Sequence, residues 1–260
     1  MPRTFKHPRP AMSKVDILGV AVDEVDTAGV ESAILDCIKA VRKEVFAYAN
    51  VHAVNLARKD GRFRKFLNES RIVYCDGEGI RVGARLLGER LPPRTALTRW
   101  VWDLGDLFQE KGTTVYLLGG RPRNVGTAVE RWRGRYPRLK LVGYHHGYFD
   151  KSGRESEEVL RLINNVGPDV LFVGFGMPEQ EFWIDQNIAD LHVNAILPCG
   201  GMIDYLSGAT RMPPAWMTGV GLEWVHRLAQ DPARLWRRYL LGNPAFMLNI
   251  LRESLVRGRK

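Results

Sequence analysis

Two short apolar runs separated by a helix-length segment constrain this chain most strongly. Val45–Ala49 breaks off at Asn50, and Arg71–Tyr74 breaks off shortly before Asp76. This pattern predicts a βαβ unit with parallel strands. The carboxyl ends of both strands then lie at the same edge of the sheet, where open α/β sheets bind ligands. We therefore expect Asn50 and Asp76 to face one crevice.

Asp76 has two interpretations. A carboxylate at a strand end can act as a general base on an incoming hydroxyl group. An aspartate can also cap a helix, here one beginning near Gly77. Spacing alone favours the cap.

Short apolar runs alternate with helix-length segments over most of the chain. Further strands are predicted at Val15–Val22, Thr113–Leu118, Leu139–Tyr144, Pro168–Phe175 and Val193–Leu197, and Thr27 can cap a helix that runs to about Arg42. The alternation predicts an α/β fold with a Rossmann-like, doubly wound, mostly parallel sheet, followed by a C-terminal helical appendage.

Glycines follow two of the predicted strands. Gly119 and Gly120 precede a helix, which is typical either of a phosphate site built from free amides or of a tight turn. The most apolar strand ends in Gly174-Phe175-Gly176, and a proline then opens a helix whose first turn holds Gln180. We expect Gln180 to lie near the crevice.

Charge and cysteine content limit the partners of this 260-residue chain. Its net charge of +9 implies an acidic partner, which is nucleic acid, anionic lipid or a phosphorylated ligand. Its three cysteines are scattered and indicate reduced thiols in a cytosolic protein. No apolar run is long enough to span a bilayer.

The sequence divides into three segments. Residues 1–14 form a basic, proline-rich flexible tail, residues 15–206 an α/β catalytic domain, and residues 207–260 a basic amphipathic helical appendage that associates with membrane. Ser207–Gly221 is interpreted as a loop or hinge. Trp224–Lys260 holds eight basic and two acidic residues, a balance of +6.

Two helices are predicted in the appendage. Asp231-Pro232 begins one that ends at Gly242, and Asn243-Pro244 begins another that ends at Gly258. The second helix places five apolar residues on one face: Phe246, Met247, Ile250, Leu251 and Leu255. Such a face either packs on the protein core or lies in the interface of an anionic membrane.

Several catalytic motifs are absent. Gly174-x-Gly176 lacks the third glycine of a dinucleotide fingerprint, and no D-x-D metal motif, HExxH or GxSxG occurs. No side chain is an evident covalent nucleophile.

A series of motifs occurs in order between Gly201 and Tyr239. They are Gly201-x-x-Asp204-Tyr205-x-x-Gly208, Arg211-x-Pro213, Trp216, Gly221-Leu222-Glu223-Trp224, Arg227-Leu228, Pro232-x-Arg234-Leu235 and Arg237-Arg238-Tyr239. Earlier in the chain stand Asn50, Asp76-Gly77 and Gly174-x-Gly176-x-Pro178-x-Gln180-Glu181. Through these motifs the chain resembles the WecG/TagA/CpsF family of bacterial glycosyltransferases over nearly its whole length.

The resemblance implies a metal-independent transfer from a UDP-sugar to a saccharide on an isoprenoid pyrophosphate. Because no covalent nucleophile is evident, direct displacement with inversion is the simpler mechanism. The enzyme would need no cofactor, would lie peripherally on the inner face of the cytoplasmic membrane and could form a homo-oligomer. Asp76 falls on the family's proposed general base. The implied substrate-binding positions are Tyr48, Asn50, Arg94, Gln180, Asp204, Arg227, Arg234 and Arg237, besides the glycines at 119, 120, 174 and 176. The three last arginines belong to an appendage that closes over the active site.

This sequence departs from the family pattern near the expected sugar site. Tyr48 stands where the family often has threonine, and Leu97 and Arg99 replace the usual glycine and aspartate after Arg94. Two other functions are weighed beside the transferase: a basic nucleic-acid-binding protein, without a recognised module for it, and a nicotinamide-dependent oxidoreductase on the same sheet.

Overall fold

The computed structural model describes residues 12–219 and 221–258. The strands in this part of the chain are β1 Lys14–Ile17, β2 Val20–Asp23, β3 Glu44–Ala49, β4 Ile72–Cys75, β5 Thr114–Gly119, β6 Lys140–His145, β7 Val170–Gly174 and β8 Ala195–Pro198. Strands β1 and β2 form an antiparallel pair, and the other six form one sheet.

Helices flank the six-stranded sheet. They are α1 Thr27–Lys39, α2 Val51–Lys59, α3 Gly61–Glu69, α4 Glu78–Leu86, α5 Leu97–Lys111, α6 Pro122–Arg135, α7 Gly153–Val166, α8 Glu179–Asn187, α9 Met202–Ser207, α10 Ala215–Gly219, α11 Glu223–Gln230, α12 Pro232–Trp236 and α13 Gly242–Arg257. A π-helical turn, Arg237–Leu241, joins α12 to α13.

The parallel sheet has the strand order β4-β3-β8-β7-β5-β6. Val170 pairs with Ala195, and Gly119 pairs with Gly174 at the carboxyl ends of their strands. The predicted Rossmann-like α/β fold is therefore confirmed. Strands β3 and β4 are neighbours, as the βαβ prediction requires, although two short helices connect them instead of one.

The contacts divide the chain into two compact units. The first holds the described residues in 12–30, 47–96 and 212–258. In it, Asp23 of β2 accepts a hydrogen bond from the Val73 N–H of β4 at 2.7 Å. Asp23 also forms an ion pair with Lys14 at 2.8 Å. Phe246 and Ile250 of α13 are fully buried, and Gly83 of α4 leaves the space that Phe246 fills.

The second unit holds residues 31–46 and 97–211. Its strands β5, β7 and β8 are almost entirely buried, as expected for central parallel strands. Large side chains complete the core: Phe108, Trp132, Phe172 and Trp183.

Two local predictions were wrong, and a third cannot be compared with the described residues. Val15–Val22 is not one strand but a hairpin, since Leu18 and Gly19 both adopt positive φ and reverse the chain. Ser207–Gly221 is not wholly a loop, because α10 lies within it. The predicted tail falls mainly on residues 1–11, which lie outside the described residues.

The helix break predicted at Gly242 was also wrong. Helical structure continues from Pro232 through Pro244 to Arg257, and Gly242 donates its N–H to Arg237 O, five residues back. A proline ring clashes with the carbonyl four residues before it and removes a donor. The π-helical turn just before Pro244 accommodates both effects, so the helix does not end.

Candidate functional site

Asp76 follows β4 directly and is not a helix cap. Its N–H donates to Ala49 O at 2.9 Å, which ties together the carboxyl ends of β4 and β3. Gly77 occupies the N-cap position of α4, and no side chain caps that helix. The interpretation that spacing alone favoured was therefore wrong. The carboxylate of Asp76 instead accepts a hydrogen bond from the Asn50 side chain.

Asn50 orients both the following helix and Asp76. Its Oδ1 atom accepts from the Ala53 N–H at 3.0 Å and caps α2. An amide side chain has one oxygen and one NH₂ group, so the NH₂ group remains to donate to Asp76. Asn50 and Asp76 therefore lie side by side where β3 and β4 end, and the cap on α2 fixes the orientation of Asn50. That they face a ligand crevice stays a prediction.

Opposing effects set the pKa of Asp76. Burial raises the pKa to about 6 from an ordinary value near 4, because it disfavours the charged carboxylate. The positive charges of Arg227 and Arg94 oppose this, as does the hydrogen bond from Asn50. The carboxylate is therefore mostly ionised at neutral pH but is more basic than an exposed aspartate.

The C-terminal segment supplies charge to this cluster. Arg94 pairs with Glu223 of α11 at 2.5 Å and donates to Thr218 O at 3.4 Å. Arg227, one turn further along α11, acts electrostatically on Asp76. Residues more than 120 positions apart in the chain thus share one site within the first unit.

Arg234 and Arg237 lie differently from Arg227. The Arg234 side chain is 76% exposed and pairs with Asp231, which caps α12. Arg237 is exposed, and its guanidinium lies 5.2 Å from the centre of the Trp236 ring. The next residue, Arg238, interacts electrostatically with Arg227, Tyr48 and Asp76.

Arg238 was not among the predicted site residues, because the resemblance pointed to Arg237 and did not reveal the π-helical turn at Arg237–Leu241. The π-helical turn adds a residue per turn and so changes which side chains face inward. The one available signal was Pro244, since a proline inside a helical pattern calls for a local distortion.

Tyr48 and His52 lie close to the same arginine. Tyr48 is nearly buried at the end of β3, with its ring centre 6.1 Å from that of Tyr74. His52 lies in the first turn of α2, and burial together with Arg238 lowers the pKa of His52 to about 4. His52 is therefore neutral at physiological pH.

The predicted glycines lie in the second unit, where they allow close approach of the backbone. The Gly120 N–H donates to Gly174 O at 3.1 Å, and its carbonyl accepts from the Gly147 N–H at 2.8 Å. A Cβ atom on Gly119 would overlap Gly174 O, and Gly119 has a φ of +143°. The tight-turn interpretation accounts for these contacts, and phosphate binding here stays a prediction.

Gln180 is fully buried and joins two strand ends. Its Oε1 accepts from the N–H of Gly176 at 3.2 Å and from that of Gly200 at 3.0 Å. Its Nε2 donates to Oε1 of Glu181 at 2.7 Å. Burial raises the pKa of Glu181 to about 8, so that this carboxyl is mostly protonated at neutral pH.

Asp204 has a partner that the sequence gave no reason to select. Asn124, in the first turn of α6, donates its Nδ2 to Asp204 Oδ1 at 2.7 Å. Oδ1 of Asp204 also lies 4.0 Å from where a Cβ on Gly120 would stand. The glycine turn, Asn124 and Asp204 are therefore neighbours.

Neither a metal-binding cluster nor a membrane-spanning helix occurs within residues 12–219 and 221–258. No group of three or more His, Cys, Asp and Glu side chains there could hold a metal ion. No helix in the same ranges has the length and apolar character needed to cross a bilayer.

The α/β fold and the arginines that act on Asp76 suit the binding of an anionic substrate. Comparison with known proteins identifies the family. The family model described as "Glycosyl transferase WecG/TagA/CpsF family" matches residues 15–260. The chain belongs to this family and is a glycosyltransferase. The resemblance found in the sequence is confirmed, and the nucleic-acid-binding and oxidoreductase alternatives lose their support.

Two relatives carry the same name, N-acetylglucosaminyldiphosphoundecaprenol N-acetyl-beta-D-mannosaminyltransferase. The protein of Bacillus subtilis (strain 168) is 30% identical over 211 residues, which cover 81% of this chain and 80% of the relative. The protein of Staphylococcus aureus (strain MW2) is 27% identical over 244 residues, which cover 93% and 94%.

The buried carboxyl of Glu181 generates a stability prediction. Its folded pKa of about 8 exceeds the unfolded value, so the folded state holds the extra proton between these two values. Stability should therefore fall as the pH rises towards 8. Glu181→Gln should unfold at higher urea concentration than wild type at pH 8, with little difference at pH 4.5. The control is Glu158→Gln, at an exposed position of α7. An equal stabilisation of both variants at pH 8 would contradict the prediction.

Proposed function

We propose that this chain is an inverting, metal-independent glycosyltransferase that moves a sugar from a UDP-sugar to a saccharide carried on an isoprenoid diphosphate. It would act in the assembly of a bacterial cell-surface polysaccharide. The observation that carries the proposal is the Asp76 carboxylate, held by Asn50 and kept basic by burial. Family membership and the names of the relatives support it.

The reaction follows from this geometry. Asp76 accepts the proton of an acceptor hydroxyl group, whose oxygen attacks the anomeric carbon of the donor sugar. The new glycosidic C–O bond forms as the bond to the diphosphate breaks, and UDP leaves with the electron pair. Attack from the face opposite UDP inverts the anomeric configuration.

The leaving diphosphate gains negative charge, which must be stabilised. Arginine suits this role, since its planar guanidinium donates paired hydrogen bonds to phosphate oxygens. Arg227 lies near enough to Asp76 to affect its pKa. We assign to such arginines the charge stabilisation that a divalent cation supplies in many sugar transferases.

The relatives suggest the substrates to test first. Their shared name specifies transfer of N-acetylmannosamine to N-acetylglucosaminyldiphosphoundecaprenol. Tyr48 is nearly buried where the family often has threonine. We therefore expect the bulk of Tyr48 to affect which donor sugar is accepted.

Asp76→Asn should lower transfer by about 10²–10⁴-fold, the usual range for loss of a general base. The amide keeps the shape of the side chain but cannot accept the proton, so the fold should persist. Product formation would be measured with UDP-N-acetylmannosamine and a short-chain diphosphate-linked N-acetylglucosamine, in the presence of EDTA. If the wild type uses a different donor, a panel of UDP-sugars identifies it first.

The exposed Asp36→Asn variant is the control for Asp76→Asn. Near-normal turnover by Asp76→Asn would contradict the assignment of the base. Activity that disappears in EDTA and returns with Mg²⁺ or Mn²⁺ would contradict metal independence.

The C-terminal helices expose an apolar stripe suited to a membrane surface. Phe246 and Ile250 are buried, but other apolar residues on the same helical run are at least 42% exposed: Trp236, Leu240, Leu248, Leu251 and Leu255. Arg237 and Arg252 lie on the same run and are exposed. Apolar and basic residues together favour reversible binding to an anionic leaflet. We propose this as the peripheral contact with the cytoplasmic face.

Replacing Leu248, Leu251 and Leu255 with serine should weaken binding to vesicles that contain phosphatidylglycerol, because it removes apolar contact with the interface. Co-sedimentation at low and high salt would measure this, and binding should also weaken with salt. These residues are exposed, so the fold should survive, whereas deletion of α13 would remove Phe246 and Ile250 from the core. The control is Leu162→Ser on exposed α7, and equal vesicle binding by the triple variant would contradict the proposed contact.

A further inference from the structure

Arg238, in the C-terminal segment, has a buried hydrogen-bond donor that a ligand could satisfy. Its Nε is buried and meets no hydrogen-bond acceptor within the described residues. Its guanidinium lies 5.4 Å from the centre of the Tyr239 ring. A buried donor without a partner is costly, and arginine has five such donors in a planar array. A ligand that supplies acceptor oxygens would satisfy this group.

The first turn of α2 also offers backbone N–H donors to a ligand. The N–H groups at the start of a helix have no partner within it. Asn50 Oδ1 takes the N–H of Ala53, which leaves the N–H groups of Val51 and His52 at the helix end. The helix is nine residues long, and its dipole favours an anion there.

Direct contacts hold the π-helical turn against α2. Asn55, one turn after His52, donates its Nδ2 to Gly242 O at 2.8 Å. The ring centres of Trp224 and Tyr239 lie 5.9 Å apart and join α11 to the same turn. Arg238, Arg227 and the start of α2 are thus positioned by one connected set of contacts within the first unit.

The charges of this cluster also favour an anion. Arg94 is paired with Glu223, and His52 is neutral. Arg227 and Arg238 then share the Asp76 carboxylate and repel each other electrostatically. An anionic group bound between these two guanidinium groups would relieve that repulsion.

We infer that Arg238, together with Arg227 and the first turn of α2, forms an anion subsite that binds a phosphate of a substrate diphosphate beside Asp76. This rests on the proposed function and gives to Arg238 the substrate-binding role that the family resemblance implies for Arg237. Two substrates carry a diphosphate, the nucleotide donor and the lipid-linked acceptor. Both offer the same phosphate oxygens.

Titration calorimetry with two probes tests the subsite and separates its two sources. One probe is UDP, and the other is N-acetylglucosamine linked through diphosphate to a short prenyl chain. Arg238→Gln should weaken binding of at least one probe by about 10- to 100-fold, the range expected for a lost hydrogen bond to a charged group. The probe that loses affinity identifies the diphosphate that is bound.

Three further variants control for charge, position and folding. Arg238→Lys keeps the charge but not the planar fork, so its affinity should fall between those of wild type and Arg238→Gln. Arg252→Gln, exposed on α13, should bind both probes as wild type does. In Arg238→Gln the pKa of His52, followed by NMR, should rise above its wild-type value, because burial would remain as the main cause that lowers it and the charge of Arg238 would be gone. Such a rise would show that the arginine lies beside α2.

The outcomes distinguish this inference from the proposed function. If Arg238→Gln binds both probes as wild type does, while the wild-type protein transfers sugar, only the inference is overturned. The same holds if Arg237→Gln loses probe affinity and Arg238→Gln does not. If Arg238→Gln fails to fold, wild-type affinity in Arg238→Lys overturns the subsite and reduced affinity supports it. A wild-type protein that binds neither probe and transfers no sugar would overturn both proposals.

Discussion

The helix cap supplied by Asn50 is the interaction on which the site depends. One side chain ends β3, begins α2 with its oxygen, and holds Asp76 with its nitrogen. The Asp76 N–H in turn bonds to the β3 backbone at Ala49. A helix cap thereby fixes the orientation of a carboxylate that follows the neighbouring strand, and the sheet itself sets the position of the proposed base.

Burial and positive charge act on that carboxylate in opposite directions. Burial alone would favour the neutral acid, and the arginines alone would make the group a weak base. Their balance gives Asp76 a pKa of about 6, close to the value at which a base is both ionised and effective near neutral pH. Because Arg227 belongs to α11 in the C-terminal segment, this helix helps to set the pKa of Asp76. The buried Phe246 and Ile250 further along this segment anchor it in the core of the same unit.

The sequence predicted the parallel sheet and the placement of Asn50 and Asp76 at one edge of it, because strand ends and their edge of the sheet follow from periodicity. It did not predict which polar residue would cap which helix, since Asn50 and Asp76 are both suitable caps. Arg238 was missed because a π-helical turn changes the facing of side chains without a clear local signal. Gln180 was expected near the ligand, but the structure shows its amide joining the turns after β7 and β8, a relation that only the folded topology reveals.

The pH dependence of kcat/KM for sugar transfer tests the central claim, that Asp76 is a base tuned by burial and by arginine. The reactive form is the carboxylate, so kcat/KM should rise about tenfold per pH unit below pH 6 and level off above it. Arg227→Gln removes a charge that lowers the pKa of Asp76, so the acid limb should move to higher pH. A wild-type profile that stays flat between pH 5 and 7, or a limb that Arg227→Gln leaves in place, would contradict the account.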